Sequence, residues 1–163
     1  LMIAFFPFRQ EKRLVTIPEQ QLHKNLDKFI KPVRLEAIED QQKEYLFNGT
    51  WSSETFSISL ILRISNNFVP IITGELLPSE EGVLVKLTYR MFPATKKLLL
   101  FWTVVTLLIT LFFTLVHQAW LYGAISFGFC IVNYILSREN FKIQVRKSRR
   151  MVEKLFSYTE DIT

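Results

Sequence analysis

An apolar stretch constrains the fold of this 163-residue sequence more than any other feature. Between Lys97 and Arg138 there is no Asp, Glu, Lys or Arg, and the stretch pauses only around Gln118. As a helix, each half would be about 27 Å long, close to the hydrocarbon thickness of a bilayer. Neither half has the polar face that a helix in a soluble core shows. The sequence predicts a transmembrane helical hairpin over 98–136, with spans 98–116 and 119–136.

Basic residues flank both outer ends of the predicted hairpin, whereas its turn carries no formal charge. Arg90, Lys96 and Lys97 precede the first span. By the positive-inside rule, the sequence predicts an integral membrane protein with both termini in the cytoplasm and His117 on the other side. Six basic residues follow the second span: Arg138, Lys142, Arg146, Lys147, Arg149 and Arg150.

These six residues begin a predicted cytoplasmic tail, 137–163, beside the membrane surface. A basic residue at that level gains about 1 kcal/mol from anionic lipid, so we predict that the six contact such lipids. Nucleic acid is the other partner of a basic run, but the adjacent span favours lipid and no nucleic-acid partner is predicted. Apolar residues at helical spacing make the tail amphipathic, able to continue the second span and pack on the soluble domain. They are Phe141, Val145, Val152, Leu155 and Phe156.

Small and hydroxyl side chains form one stripe on each predicted span, as they do where transmembrane helices pack together. The first stripe is Thr103, Thr106, Thr110 and Thr114, and the second is Gly123, Ser126, Cys130 and Asn133. An antiparallel hairpin would pair them in order, Thr114 with Gly123, Thr110 with Ser126, Thr106 with Cys130 and Thr103 with Asn133. One alternative is that each threonine bonds to its own helix. A water or ion path along the seam is the other, which the lack of ionisable groups disfavours.

Residues 1–92 are predicted to form a cytoplasmic domain. Thr16 and Glu19 match a capping box, so a helix is expected over 17–31, with a short strand before it. From Tyr45 onward the apolar residues alternate, which predicts consecutive strands separated by short turns, with Trp51 buried in the sheet. The charged stretch 33–43 is predicted to be a loop or a weak strand.

The predicted fold class is therefore α+β. It comprises an antiparallel four- to five-stranded meander with one N-terminal helix, then the transmembrane hairpin, then a basic amphipathic C-terminal helix. This order resembles the first half of helix-grip folds, which cradle lipids. Their long closing helix is either absent here or replaced by the tail.

Short motifs in the strands resemble a family of small uncharacterised bacterial two-span membrane proteins. The resemblance covers roughly 14–116 and implies a bacterial inner-membrane location, with no known activity. The motifs are Phe47-x-Gly49, Phe56-x-Ile58, Asn66-x-Phe68-x-Pro70, Gly74 and Gly82, followed by the hairpin.

Residues of catalytic type do not form a recognisable motif in this sequence. His23 and His117 are predicted on opposite sides of the membrane, so they cannot share a metal ion. No phosphate-binding loop or nucleophile motif is present, and the single cysteine, Cys130, lies in a span. A solvated loop explains the acidic residues of 33–43 better than acid–base catalysis. The sequence thus predicts no catalytic residue, metal site or cofactor.

Three functions remain open for such a chain. The first is a membrane-anchored accessory or interaction module without catalytic activity, a subunit of a larger assembly that contacts a protein partner or a second copy. The second is a binder of a lipid or a small apolar ligand. A large apolar cavity lined by Leu22, Phe56, Ile58 and Leu60 would support it. The third is an oligomeric channel or pore-forming effector, favoured if a polar stripe is left unpaired between the two spans.

Overall fold

A computed structural model describes residues 6–32, 45–62, 66–80 and 82–158 of the chain. The predicted loop at 33–43 lies outside the described residues. The strands are Phe8–Val15 (β1), Ile30–Pro32 (β2), Phe47–Trp51 (β3), Thr55–Leu60 (β4), Pro70–Ser79 (β5) and Gly82–Met91 (β6). The helices are Glu19–Phe29 (α1), Pro93–Leu111 (α2) and Trp120–Ser157 (α3), and a π-helical segment, Phe112–Val116, follows α2.

The α+β class is confirmed, and β3, β4, β5 and β6 pair antiparallel in chain order as the predicted meander requires, but the predicted number of strands is wrong. Six strands form one sheet in the order β1-β6-β5-β4-β3-β2. The sheet is mixed because β2 pairs in parallel with β3, from Ile30 opposite Phe47. This strand follows α1 without a turn, and the buried Ile30 anchors it. A strand of three residues is too short to show a period-2 pattern, so the sequence predicted these residues as the end of the helix.

The first helix is shorter than predicted, and its capping box does not form. Pro18 takes the N-cap position in an extended conformation, and no side chain caps the helix. The first turn is closed instead by the Leu22 amide, which donates to the Pro18 carbonyl over 3.0 Å. At the other end, Ile30 is already extended.

The third helix is continuous from the apolar hairpin into the α+β domain. It has 38 residues and is about 57 Å long. Its second half buries the five apolar residues of the predicted tail in one hydrophobic cluster with Leu22, Leu26 and the inner face of the sheet. The predicted tail is therefore the second half of α3, which closes the domain, and the first half of the same helix is the second arm of the hairpin.

The space between the helices and the sheet is filled by side chains. Leu22 is 0% exposed, and Phe56 and Ile58 lie in the same cluster. Gly74, opposite Phe56 in the register, permits this packing, because a Cβ at that position would enter the Phe56 ring. The predicted burial of Trp51 is wrong: it is 36% exposed at the end of β3, with its ring centre 5.5 Å from that of His23.

The apolar hairpin consists of α2, the π-helical segment and α3 as far as Leu136. Both helices are long and apolar enough to cross a membrane, and only 11% of the most apolar window in each is buried. The first begins at Pro93, earlier than the predicted span, because proline suits the first turn of a helix. Gln118 makes the turn with a φ of 50°, in the left-handed region.

Candidate functional site

A cleft of about 640 Å³ lies where α3 leaves the apolar hairpin and passes the start of β1. We call it the basic cleft. The chain just before β1 forms one wall, and α3 over 134–146 forms the other. Its lining residues are Phe6, Pro7, Phe8, Arg9, Tyr134, Arg138, Glu139, Phe141, Lys142, Val145 and Arg146.

The basic cleft combines apolar walls with positive charge. Phenylalanine, tyrosine and valine side chains make up the apolar part, and Phe141 and Val145 also reach into the domain core. Four of the lining residues are basic and one, Glu139, is acidic. Such a site suits a molecule that carries both an apolar body and a negative group.

Only part of the positive charge is neutralised within the cleft. Lys142 Nζ lies 2.6 Å from Glu139 Oε1, and this hydrogen bond lowers the pKa of Glu139, with Arg138 and Arg146 contributing through their charges. Glu139 is therefore ionised at neutral pH. Arg138 and Arg146 make no ion pair within the described part of the chain, so their guanidinium groups are available to a ligand.

The basic residues predicted to contact lipid separate into three groups. Arg138, Lys142 and Arg146 line the cleft. Lys147 and Arg150 are exposed on α3 outside it. The last one, Arg149, is held by the domain rather than left for lipid.

Arg149 belongs to an ion-pair network that ties α3 to β1. Its Nε lies 3.4 Å from Glu11 Oε2 without making a hydrogen bond, and 3.7 Å from Glu153. Arg13 pairs with the same two carboxylates at 3.3 and 2.8 Å. The Tyr89 hydroxyl donates to Glu11 over 3.0 Å, and burial, followed by the charge of Glu11, raises the pKa of Tyr89. This network positions the two walls of the basic cleft.

A second cleft, of about 350 Å³, lies on a different side of α3 at the base of the hairpin. We call it the neutral cleft because none of its lining residues is charged. At 3.6 residues per turn, Asn133 and Ser137 point about 100–180° around the helix axis from Arg138 and Lys142. The lining residues are Asn67, Phe68, Thr95, Leu98, Leu99, Trp102, Phe129, Asn133 and Ser137.

Asn133 does not have the partner that the sequence predicted. The Thr103 hydroxyl donates instead to the Leu99 carbonyl of its own helix over 2.8 Å. No described residue makes a hydrogen bond to the Asn133 side chain, which lines the neutral cleft.

The predicted seam between the hairpin helices is only partly arranged as proposed. Gly123 lies against Thr114, since a Cβ on Gly123 would collide with the Thr114 hydroxyl. Ser126 donates to the Thr106 carbonyl over 3.2 Å, one turn away from its predicted partner Thr110. Cys130 is half-buried and carries a free thiol. All four threonine hydroxyls donate to carbonyls of their own helix, which was the alternative.

Two polar atoms are buried in the domain core without a partner. Ser148 is fully buried and Gln144 is 6% exposed, one turn apart on α3. Neither Ser148 Oγ nor Gln144 Oε1 has a hydrogen-bond partner among the described residues. Within the same residues, no three His, Cys, Asp or Glu side chains come close enough to hold a metal ion.

Sequence reasoning missed the wall that the N-terminal segment contributes to the basic cleft. The signal was present in the alternation of charges at Arg9, Glu11 and Arg13, which puts all three on one face of a strand. That face meets α3, and only the pairing of β1 with β6 brings it there.

No protein-family model and no curated protein matches this chain. Similar solved structures include a Nitrosomonas europaea protein, 15% identical over 60% of this chain and 84% of its own, with a TM-score of 0.34. A Mesorhizobium loti protein is 13% identical over 86% of this chain and 98% of its own, with a TM-score of 0.35. A Polyketide_cyc-like protein of Corynebacterium glutamicum is 9% identical over 96% of this chain and 97% of its own, with a TM-score of 0.28. These scores are low, and no conclusion about binding or activity follows from them.

Fold and clefts together define the class of protein. It is an α+β domain closed by the second half of one long helix, and the first half of that helix pairs with α2 in an exposed apolar helical hairpin.

Proposed function

We propose that this protein is a membrane-anchored binding module that holds an anionic phospholipid in the basic cleft. The observation that carries the proposal is the joint lining of one cleft by aromatic side chains and by four basic residues. The cleft volume falls within the range of about 300–1,000 Å³ that is usual for ligand sites. The proposal includes no chemical reaction.

The exposed surface of the hairpin supports the membrane location. A soluble monomer rarely exposes a contiguous apolar patch larger than a few hundred Å². Both hairpin helices expose nearly all of their apolar side chains, which a bilayer would cover. The basic residues at both outer ends then favour a cytoplasmic location for the domain and both termini.

The position of the basic cleft suits a lipid of the cytoplasmic leaflet. Tyr134 lies one turn before Arg138, at the end of the cleft nearer the hairpin, and the apolar and basic lining residues alternate along α3 from there. Tyrosine is frequent at membrane interfaces, and guanidinium groups bind phosphate through paired hydrogen bonds. A lipid phosphate would contact Arg138 and Arg146, with an acyl chain against Phe8 and Phe141.

Native mass spectrometry of the whole protein in mild detergent, titrated with phosphatidylglycerol, tests the proposal. The triple variant Arg138→Gln, Lys142→Gln, Arg146→Gln should bind about 30-fold more weakly, at about 1 kcal/mol for each of the two unpaired arginines. The matched control, Lys147→Gln, Arg150→Gln, Lys154→Gln, removes as much charge from the same helix outside the cleft. Equal loss in both variants would mean diffuse attraction and no cleft site.

The accessory-subunit hypothesis stays a prediction, and the same purification addresses it. A protein that copurifies in stoichiometric amount would support it, whereas bound lipid alone supports the binding module. The pore hypothesis also stays a prediction. Its expected sign was a polar stripe left unpaired between the two spans, and among the described stripe residues only Ser126 donates across, to the Thr106 carbonyl over 3.2 Å.

A further inference from the structure

We propose that the neutral cleft is a second lipid site, selective for an uncharged amphiphile whose head is a hydroxyl group, such as a diacylglycerol. The inference rests on the membrane location in the proposed function. It does not rest on the basic cleft, because the two sites share no lining residue.

The lack of charge in the neutral cleft selects against an ionic head group. A phosphate placed there would lose water without gaining a positive partner, which is costly. The basic cleft, at a similar level on another side of α3, offers Arg138 and Arg146 to the same phosphate. Anionic and neutral lipids would therefore be sorted between the two sites.

The Asn133 amide is the polar anchor of the neutral cleft. An amide that faces hydrocarbon without a hydrogen bond is energetically costly, and the Thr103 hydroxyl already donates to the Leu99 carbonyl. A ligand hydroxyl can accept a hydrogen bond from Asn133 Nδ2 and donate one to Oδ1, and thus satisfy both ends of the amide. Ser137, one turn further along α3 and 6% exposed, lines the same cleft.

The apolar wall of the neutral cleft opens towards the surface that the bilayer covers. Leu98, Trp102 and Phe129 line it and are 46%, 47% and 61% exposed. An acyl chain could therefore lie along them while it remains within the bilayer, and the ligand need not cross water to enter.

The soluble domain supplies the remaining wall, at the turn before β5. The Thr95 hydroxyl donates to the Asn67 carbonyl over 2.5 Å, which fixes this turn against the start of α2. The Phe68 amide donates to Asn66 Oδ1 over 2.9 Å, which holds the turn that presents Phe68. The cleft is thus built from both parts of the protein.

The test is native mass spectrometry of the whole protein titrated with dioleoylglycerol and, separately, with dioleoyl phosphatidylglycerol. Asn133→Leu should weaken dioleoylglycerol binding about tenfold, because two hydrogen bonds are lost, and leave phosphatidylglycerol binding unchanged. Asn140→Leu, an exposed asparagine of α3 outside both clefts, is the matched control and should change neither.

A second variant covers the case in which Asn133→Leu disturbs folding. Leu98→Trp fills the neutral cleft without removing a polar group and should also weaken dioleoylglycerol binding alone. Wild-type dioleoylglycerol binding by Leu98→Trp, or by a folded Asn133→Leu, would overturn the inference. If the basic-cleft triple variant keeps phosphatidylglycerol while Asn133→Leu loses dioleoylglycerol, the proposed function fails and the neutral site stands.

Discussion

The side-chain amide of Asn25 donates to the carbonyl oxygen of Leu155 over 2.9 Å and joins α1 to the last turn of α3. The same nitrogen donates to the carbonyl of Tyr158, also over 2.9 Å. The last carbonyls of a helix have no partner within it, so Asn25 satisfies two groups that would otherwise be unpaired. Gln21 donates to Asn25 Oδ1 over 3.1 Å and orients the amide.

Replacing Asn25 by Leu should lower the free energy of unfolding of the domain by about 2–3 kcal/mol, since carbonyls lose their partner in a buried place. Thermal unfolding in detergent, followed by circular dichroism, measures the change. Gln20→Leu, an exposed position on the same helix, is the control and should lie near wild type. Equal stability of the two variants would show that α3 needs no cap from α1.

The buried Tyr89 should make the domain sensitive to alkaline pH. Its pKa is raised from the ordinary value of 10.0, chiefly by burial, so the folded state keeps the phenol proton longer than the unfolded chain. As pH rises past 10.0, the unfolded chain releases the phenol proton while the folded state retains it. The unfolded state is therefore favoured, and the free energy of unfolding falls. Urea unfolding at several pH values should show this loss in wild type and not in Tyr89→Phe.

Tyr89→Phe also separates this titration from the ion-pair network. At pH 7 the variant loses the hydrogen bond to Glu11 and should be less stable by about 1.5–3 kcal/mol, as for a bond to a charged group. A parallel alkaline decline in both proteins would assign the pH sensitivity to other groups.

The contact of Gly123 with Thr114 predicts a steric limit at the closed end of the hairpin. Gly123→Val would push the helices apart and should cost about 1–3 kcal/mol, as overpacking does. Gly128→Val on the same helix is the control, because nothing lies within 4 Å of a Cβ there. Resistance of the hairpin to unfolding in SDS measures both. If the two variants behave alike, the helices are not packed through Gly123.

The unpartnered Ser148 hydroxyl predicts a stabilising substitution. Ser148→Ala removes a buried polar group without a hydrogen bond and should raise the free energy of unfolding by about 1 kcal/mol. Ser157→Ala, at an exposed position of the same helix, is the control and should have a small effect. A marked loss of stability in Ser148→Ala would mean that a bound water or ligand satisfies the hydroxyl.

The topology is tested with single cysteines in a Cys130→Ser background. A cysteine at Gln118, in the hairpin turn, should react with an impermeant thiol reagent added outside intact cells. One at Ser79, at the end of β5, should react only after the membrane is opened. The opposite pattern would reverse the orientation that the basic flanks predict.

Local periodicity determined much of this protein from the sequence alone. The charge-free stretch fixed two long apolar helices, and the period-2 pattern fixed the buried face of β6, from Val83 to Tyr89. Helical spacing also identified the apolar side chains of the tail, such as Val145 and Leu155, that enter the core. Each of these features is set by residues close together in the sequence, so a short segment is enough to predict it.

Features that join distant parts of the chain were decided only by the tertiary structure. The parallel pairing of β2, the capping of α3 by Asn25 and the ion pairs of Arg149 connect residues that no window contains. The six basic residues looked equivalent in the sequence. Folding gave them different surroundings, because the rotation of α3 against β1 placed three in a cleft, left two in solvent and held one in ion pairs.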